Sequence, residues 1–306
     1  MKYLVTGGLG FIGSHLVERL LKEKGSKVVV IDDFSEGKRS NLPRNKRLKI
    51  CKASIMDPDI DKYFNVDVVF HLAALTRPQW SILNPVEATR VNVGGTIHVL
   101  NHCRDHKVKR VAFVSSSSIY GEQLVQPTLE SSPINPMSPY ALNKYEGELF
   151  AKLYNILYNL QVNSIRPFNV YGTRQGADSP YSAAVPKFID TLRKGGTPYI
   201  TGDGEQTRDY VYIDDVVEII YLASKCKEYG EAFNAGSGRN VSINNLYKLI
   251  CKIMGKEVTP DYVAKVVEPT LTLADMSKVK QLLNFEPKID LEEGLRRTIN
   301  ENPSIR

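Results

Sequence analysis

Tyr140 and Lys144 stand four residues apart in SPYALNKYEGELF (138–150). That spacing places both side chains on one face of a helix. Ser138 suits the N-cap and Pro139 the first turn, so the pair sits where a helix begins and can face a cleft. A free phenol, with a pKa near ~10, is a poor base at neutral pH. A neighbouring ammonium favours the phenolate by charge, which would make a base able to take a proton from a hydroxyl. A third group must hold the reacting oxygen. The serine run of VSSSSIYG (114–121) follows a strand-like stretch and offers candidates.

A second group of residues concerns phosphate. VTGGLGFIG (5–13) sets Gly7, Gly10 and Gly13 in a Gly-x-x-Gly-x-x-Gly pattern between a strand and a helix. In that context the pattern reads as a dinucleotide site. Gly7 permits the turn, Gly10 lets the backbone approach a pyrophosphate, and Gly13 lets the helix pack on the sheet. The helix start adds free N–H groups and the positive end of its dipole. About 20 residues further on, as this fold expects, VVVIDDF ends a strand in Asp32. A carboxylate there accepts from ribose hydroxyls and repels a 2′-phosphate. No arginine stands beside it, since Lys38 and Arg39 come later in the loop. NAD is therefore expected over NADP.

These groups need a frame. KYLVT (2–6), KVVVID (27–32), RLKICK (47–52), DVVFHLA (67–73) and RVAFVSS (110–116) read as buried strands. Amphipathic stretches lie between them, and in 11–24 Ile12, Leu16 and Leu20 fall at helical spacing. Strand–helix alternation implies right-handed crossovers and a doubly wound parallel α/β sheet of the Rossmann type. The rhythm changes near residue 170, where Gly-rich polar stretches and shorter strands appear. Residues 1–168 are expected to form the dinucleotide domain, with 209–236 returning to it. Residues 169–306 are expected to form a smaller α/β substrate region.

The chain has 306 residues, 42% hydrophobic and 24% charged, with a net charge of +6. The basic residues are scattered, with no basic helix or stacking motif for nucleic acid. No apolar run could cross a bilayer, and MKYLVTGG lacks the features of a secretory signal, so a cytoplasmic protein is expected. Cys51, Cys103, Cys226 and Cys251 are widely spaced. That argues against a disulfide framework or a zinc site, and no metal is expected.

The motifs taken together carry a resemblance. TGGLGFIGSHL, VVVIDDFSEGKRSN, VFHLAALT, VNVGGTIHVL, VSSSSIYGE, SPYALNKYEGE, IRPFNVYGTRQ and GDGEQTRDYVYIDDVV occur in order, and LADMSKVKQLL follows. The chain resembles the extended short-chain dehydrogenases/reductases of the nucleotide-sugar epimerase/dehydratase group. Within it the likeness is strongest to UDP-glucose 4-epimerases and relatives that also take UDP-N-acetylhexosamines. The resemblance implies NAD-dependent epimerisation of a UDP-sugar by transient oxidation at C4, in a homodimer built through a helix bundle. The helical stretches 92–106 and 140–160, with Val99, Leu149, Leu153 and Leu157, would form that seam.

The resemblance also implies site residues. Ser116 completes the catalytic set with Tyr140 and Lys144, and Ser117 lies close to the sugar. Cofactor contacts are expected from Gly7, Gly10, Phe11, Ile12 and Gly13, and from Asp32, Asp33 and Ser35. Ser54, Ile55, Leu72, Ala73, Ala74, Asn92 and Pro167 continue the cofactor set, with Tyr140 and Lys144 at its end. Substrate contacts are expected from Asn169, Arg208, Lys265, Glu268 and Thr272, besides Ser116, Ser117 and Tyr140. Ser54 stands where the family has an Asp that accepts from adenine, and Lys265 where it has an Arg, with loss of the bidentate fork. Thr272, three residues before Asp275, marks a position that gates space around the sugar's C2. Its small side chain implies turnover of plain and N-acetylated hexoses. Dehydratases and decarboxylases of the group carry an acid after the catalytic Thr, and SSSSIYG has none. A UDP-glucuronate 4-epimerase is the alternative, and a non-catalytic NAD-binding regulator is disfavoured because both Tyr and Lys are present.

Overall fold

In the computed structural model, residues 1–177, 182–266 and 268–301 are described. Seven strands form one parallel sheet: β1 (Lys2–Thr6), β2 (Lys27–Asp32), β3 (Leu48–Lys52), β4 (Val68–His71), β5 (Arg110–Val114), β6 (Gln161–Pro167) and β7 (Ala232–Ala235). Their order is β7-β6-β5-β4-β1-β2-β3. The middle strands are runs of Val, Ile and Phe because helices cover both faces and leave no solvent side. Apolar clusters fill both layers, one with Leu16, Val17 and Leu20 and the other with Phe64, Leu100 and Phe113.

Strand order reverses between β1 and β4, which opens a crevice beyond their carboxyl ends. The glycine turn after β1 and the Ala73–Thr76 segment after β4 both border it. Helix α1 (Phe11–Leu21) leaves the first turn. Helix α2 (Gly95–Asp105) and helix α3 (Pro139–Tyr158) pack against each other on one face of the sheet. On the other face α4 (Ile213–Ala223) packs against α1 before the chain returns as β7 beside β6. Short strand pairs in the C-terminal half, 169–171 with 210–212 and 207–208 with 241–242, build the far wall of the crevice.

Several elements stop earlier than the apolar runs suggest. β4 ends at His71 and β5 at Val114, so Leu72, Ala73, Ser115 and Ser116 leave the sheet. Those residues border the crevice, where ladder pairing ends. The expected helix 92–106 begins instead as a π-turn over Arg90–Gly94. π-turns inside helices are frequent at functional sites, and this one carries Asn92. Val99, expected on a dimer seam, is fully buried in the core.

Candidate active site

The crevice has a volume of about 2150 Å³. A drug-sized ligand needs roughly 300–1,000 Å³, so two ligands of that size fit end to end. One end is the glycine turn. Gly7 has φ +68, and a Cβ there would meet Ala73 N at 2.8 Å. At Gly13 a Cβ would lie 2.1 Å from Gly7 O, so only glycine lets α1 seat on the turn. A Cβ at Gly10 would meet Gly7 O alone, at 3.4 Å, which leaves the space above it open. Gly10 is the N-cap and makes no side-chain cap bond, and the first turn holds no acid. The first N–H groups of α1, at Phe11 and Ile12, border the crevice without a helical partner. This is a cradle for a pyrophosphate.

Asp32 accepts from Leu9 N and Phe34 N, each at 2.9 Å, with one bond to each carboxylate oxygen. Both oxygens keep lone pairs for ribose hydroxyls. Burial raises the Asp32 pKa, and the two backbone donors work against that rise. Asp33 and Ser35 border the same end, and the Ser35 hydroxyl donates to Asp33 at 2.6 Å. Ser54, Ile55, Leu72, Ala73, Ala74 and Pro167 also line the crevice. Ser54 Oγ accepts from Met56 N at 3.1 Å and its own N–H bonds Asp57 at 2.8 Å. Asn92 does not line the crevice. Its side-chain amide accepts from Leu75 N at 2.7 Å and donates to Leu75 O at 3.0 Å. It shapes the Ala73–Thr76 wall from behind. The cradle, the free acceptors of Asp32 and the apolar wall together fit a dinucleotide.

At mid-crevice, Ser138 caps α3 as expected, accepting from Ala141 N at 3.2 Å. Tyr140 and Lys144 follow on one face and both are buried. Burial pushes the Tyr140 phenol up to about 12, and only the Ser116 side chain pulls it down. Lys144 is pulled down to about 8 by burial, against the Glu148 carboxylate. Its ammonium donates to Val114 O at 2.8 Å. Burial thus outweighs the Ser116 bond and favours the protonated phenol, while one of the three Lys144 donors is held at the end of β5. Ser116 Oγ accepts from Ser118 N at 3.1 Å and from the Ser118 hydroxyl at 2.9 Å. Ser116 and Ser118 line the crevice, whereas Ser117, expected near the sugar, does not.

The far end holds Asn169, Arg208 and Glu268. Arg208 is buried and pairs with Glu268 at 3.0 Å. Asn169 Nδ2 donates to Asp209 O at 3.2 Å and to Thr272 Oγ1 at 3.3 Å. Two expected residues lie outside the crevice lining. Thr272 does not line the crevice; its hydroxyl lies behind Asn169 and also accepts from Asp209 N at 3.3 Å. Lys265 is exposed outside the crevice, its stem packed beside Gly202.

Sequence reasoning missed supporting residues. Arg166 on β6 bonds Glu148 at 2.6–3.2 Å and the Tyr120 hydroxyl at 2.7 Å, all buried. This network ties α3 to the sheet beneath Lys144. Glu148, four residues after Lys144, shared its helix face and was the available signal. Asp209 is fully buried and accepts from Ser237 N, Gly238 N and Ala274 N at 2.7–3.0 Å, gathering the loops behind Asn169.

The fold and site define a Rossmann-type dehydrogenase/reductase with a Ser-Tyr-Lys set. The family model for the NAD dependent epimerase/dehydratase family matches residues 3–236. The putative UDP-glucose 4-epimerase of Methanocaldococcus jannaschii is 38% identical over 302 residues, 97% of each chain. The UDP-N-acetylglucosamine 4-epimerase of Methanobrevibacter ruminantium, solved with UDP-N-acetylmuramic acid, superposes with a TM-score of 0.94 at 36% identity, over 97% of this chain and 96% of that one. The UDP-glucuronic acid 4-epimerase of Bacillus cereus, solved with UDP-glucuronic acid and NAD, gives 0.91 at 34%, over 98% of both chains. This chain belongs to the NAD-dependent epimerase/dehydratase family. It is an NAD-dependent isomerase of the nucleotide-sugar 4-epimerase kind.

Proposed function

We propose that the protein interconverts UDP-hexoses at C4, acting on the UDP-glucose/UDP-galactose pair and also on UDP-GlcNAc/UDP-GalNAc. One observation carries this reading: Tyr140, Ser116 and Lys144 meet at the middle of one crevice whose far end offers Arg208 and Asn169. The sugar lies between the diphosphate and the cofactor. Gly7, Gly10, Gly13 and Asp32 hold NAD, which when bound supplies a reversible hydride acceptor for C4. Ser116 Oγ holds the C4 oxygen by hydrogen bond. Tyr140 Oη takes the hydroxyl proton and returns it, and Lys144 stabilises the charge left on the phenol. Arg208 meets the diphosphate, with Glu268 fixing its guanidinium.

The sugar end favours a neutral hexose. Between residues 114–121 and 137–144 the crevice is lined by Val, Ser, Gly, Met, Tyr and Ala, with Lys144 as the single cation. Lys144 gives one of its three donors to the Val114 carbonyl and serves the phenol, so no second cation in these two segments meets a C6 carboxylate. Ser116, Ser118 and Gly121 are small, which leaves room for an acetamido group. With Thr272 behind Asn169, its small volume acts by letting Asn169 sit back. Residues 169–306 serve mainly the nucleotide-sugar, and the chain pairs as a homodimer through α3. The test is to offer purified protein UDP-glucose, UDP-GlcNAc and UDP-glucuronate separately and follow the C4 epimer by proton NMR. The first two should convert. Conversion of UDP-glucuronate alone would replace this reading with the uronate one.

A further inference from the structure

Away from the crevice, His98 and His102 on α2 and His106 at its C-cap stand at successive four-residue steps, one row along one helix face. The turn over Pro58–Tyr63 brings Asp61 against that row. Asp61 Oδ1 lies 3.2 Å from His102 Nδ1 and 2.7 Å from His106 Nε2. The three atoms lie within 4.8 Å of one another.

Counting protons exposes a conflict in this cluster. His98 Nδ1 is 2.7 Å from the Ile55 carbonyl and must donate to it. Neutral His98 then presents Nε2 as a bare acceptor. His102 Nε2 lies 3.1 Å from that atom and must be the donor. Neutral His102 therefore has no hydrogen on Nδ1, and that lone pair faces the Asp61 carboxylate. Two acceptors 3.2 Å apart call for a cation between them, a proton or a metal ion.

We propose that His102 Nδ1, His106 Nε2 and Asp61 Oδ1 bind one divalent transition-metal ion, zinc being the best match. Two imidazoles and a carboxylate suit zinc, with a fourth position left to water. Bonds of about 2.0–2.2 Å set tetrahedral ligands about 3.3 Å apart. The 3.2 Å His102–Asp61 separation meets this; the 2.7 Å His106–Asp61 contact is shorter, so the exposed Asp61 moves outward as the ion enters, and the two imidazole nitrogens lie within 4.8 Å. The His102 Nε2–H bond to His98, itself anchored on Ile55 O, is the outer partner that a metal-bound imidazole requires. The ion would pin the 58–63 turn to α2. Ala53, Ser54 and Ile55, just before that turn, line the NAD end of the crevice, so the clamp also steadies that wall.

The experiment uses untagged protein stripped with a chelator and dialysed. Zinc is titrated by calorimetry, cobalt(II) by its visible spectrum, and melting is followed with and without zinc. One zinc per chain, a tetrahedral cobalt spectrum and a raised Tm are expected. His102→Gln and Asp61→Asn should each abolish most of this binding. His98→Gln, which touches no metal, should weaken it by about tenfold. Asp61 is exposed, so Asp61→Asn keeps its fold and serves even if a histidine variant does not. Absence of saturable zinc binding, or zinc binding unchanged in Asp61→Asn, overturns the proposal.

Discussion

Tyr140 is an acid in the ligand-free protein, because burial pushes its phenol up to about 12. Tyr140→Phe removes the proton carrier and leaves the packing. It should keep its cofactor and its melting temperature, and lose turnover by ~10²–10⁴-fold, as progress curves would read. Lys144 makes a second case. Its pKa falls from 10.5 to about 8 on burial, so the fold disfavours its charge. Below pH 8 both states carry the proton and the full cost is present. Between about 8 and 10.5 the unfolded chain holds a proton that the native one lacks, so this term stabilises the fold as pH rises. The difference corresponds to an upper bound of about 3 kcal/mol at neutral pH. Lys144→Met should therefore melt higher than wild type at pH 7 while turnover collapses. Calorimetry beside an activity assay checks both, and the gain in Tm should shrink above pH 10. Ser117 also separates from its neighbours at this scale: Ser115, Ser116 and Ser118 line the crevice and Ser117 does not, and the repeat in SSSSIYG did not reveal this, since it depends on where β5 ends.

At the scale of elements, the α1 start depends on close approach. Gly13→Ala puts a methyl group 2.1 Å from Gly7 O. Either the helix or the turn must shift, at a cost of roughly 1–3 kcal/mol. The purified variant should lose most of its bound NAD, measured after acid release, and melt lower. The strands, the glycine turn, Asp32 and the Tyr140–Lys144 helix start were all legible in sequence, because each follows from local periodicity or fixed spacing. What was not legible depends on tertiary contact. Asn92, expected at the cofactor, clamps Leu75 from behind the crevice wall. Lys265 was placed by the family resemblance and Thr272 by counting back from Asp275, and neither lines the crevice. The Arg166–Glu148–Tyr120 network joins residues up to 46 positions apart, which no local pattern reports. The histidine row of α2 was visible in spacing, but its meaning needed Asp61 from another turn.

At the scale of the molecule, α3 leaves Leu149, Leu153, Ile156 and Leu157 exposed at 49%, 42%, 67% and 59%. A run of exposed apolar side chains on one helix marks an interface. Light scattering should give two chains per particle at micromolar concentration, and Leu153→Glu with Leu157→Glu should give one. Val99 drops out of that seam because the core takes it. The crevice, about 2150 Å³ in volume, runs past the glycine turn, Tyr140 and Arg208, with room for a dinucleotide and a nucleotide sugar. The most direct test that the two meet is UDP-glucose carrying deuterium at C4, incubated with purified protein in ordinary water. The account predicts UDP-galactose that retains the deuterium at C4, with no net consumption of NAD. Loss of the label to solvent, or no C4 epimer from it at any enzyme concentration, would contradict it.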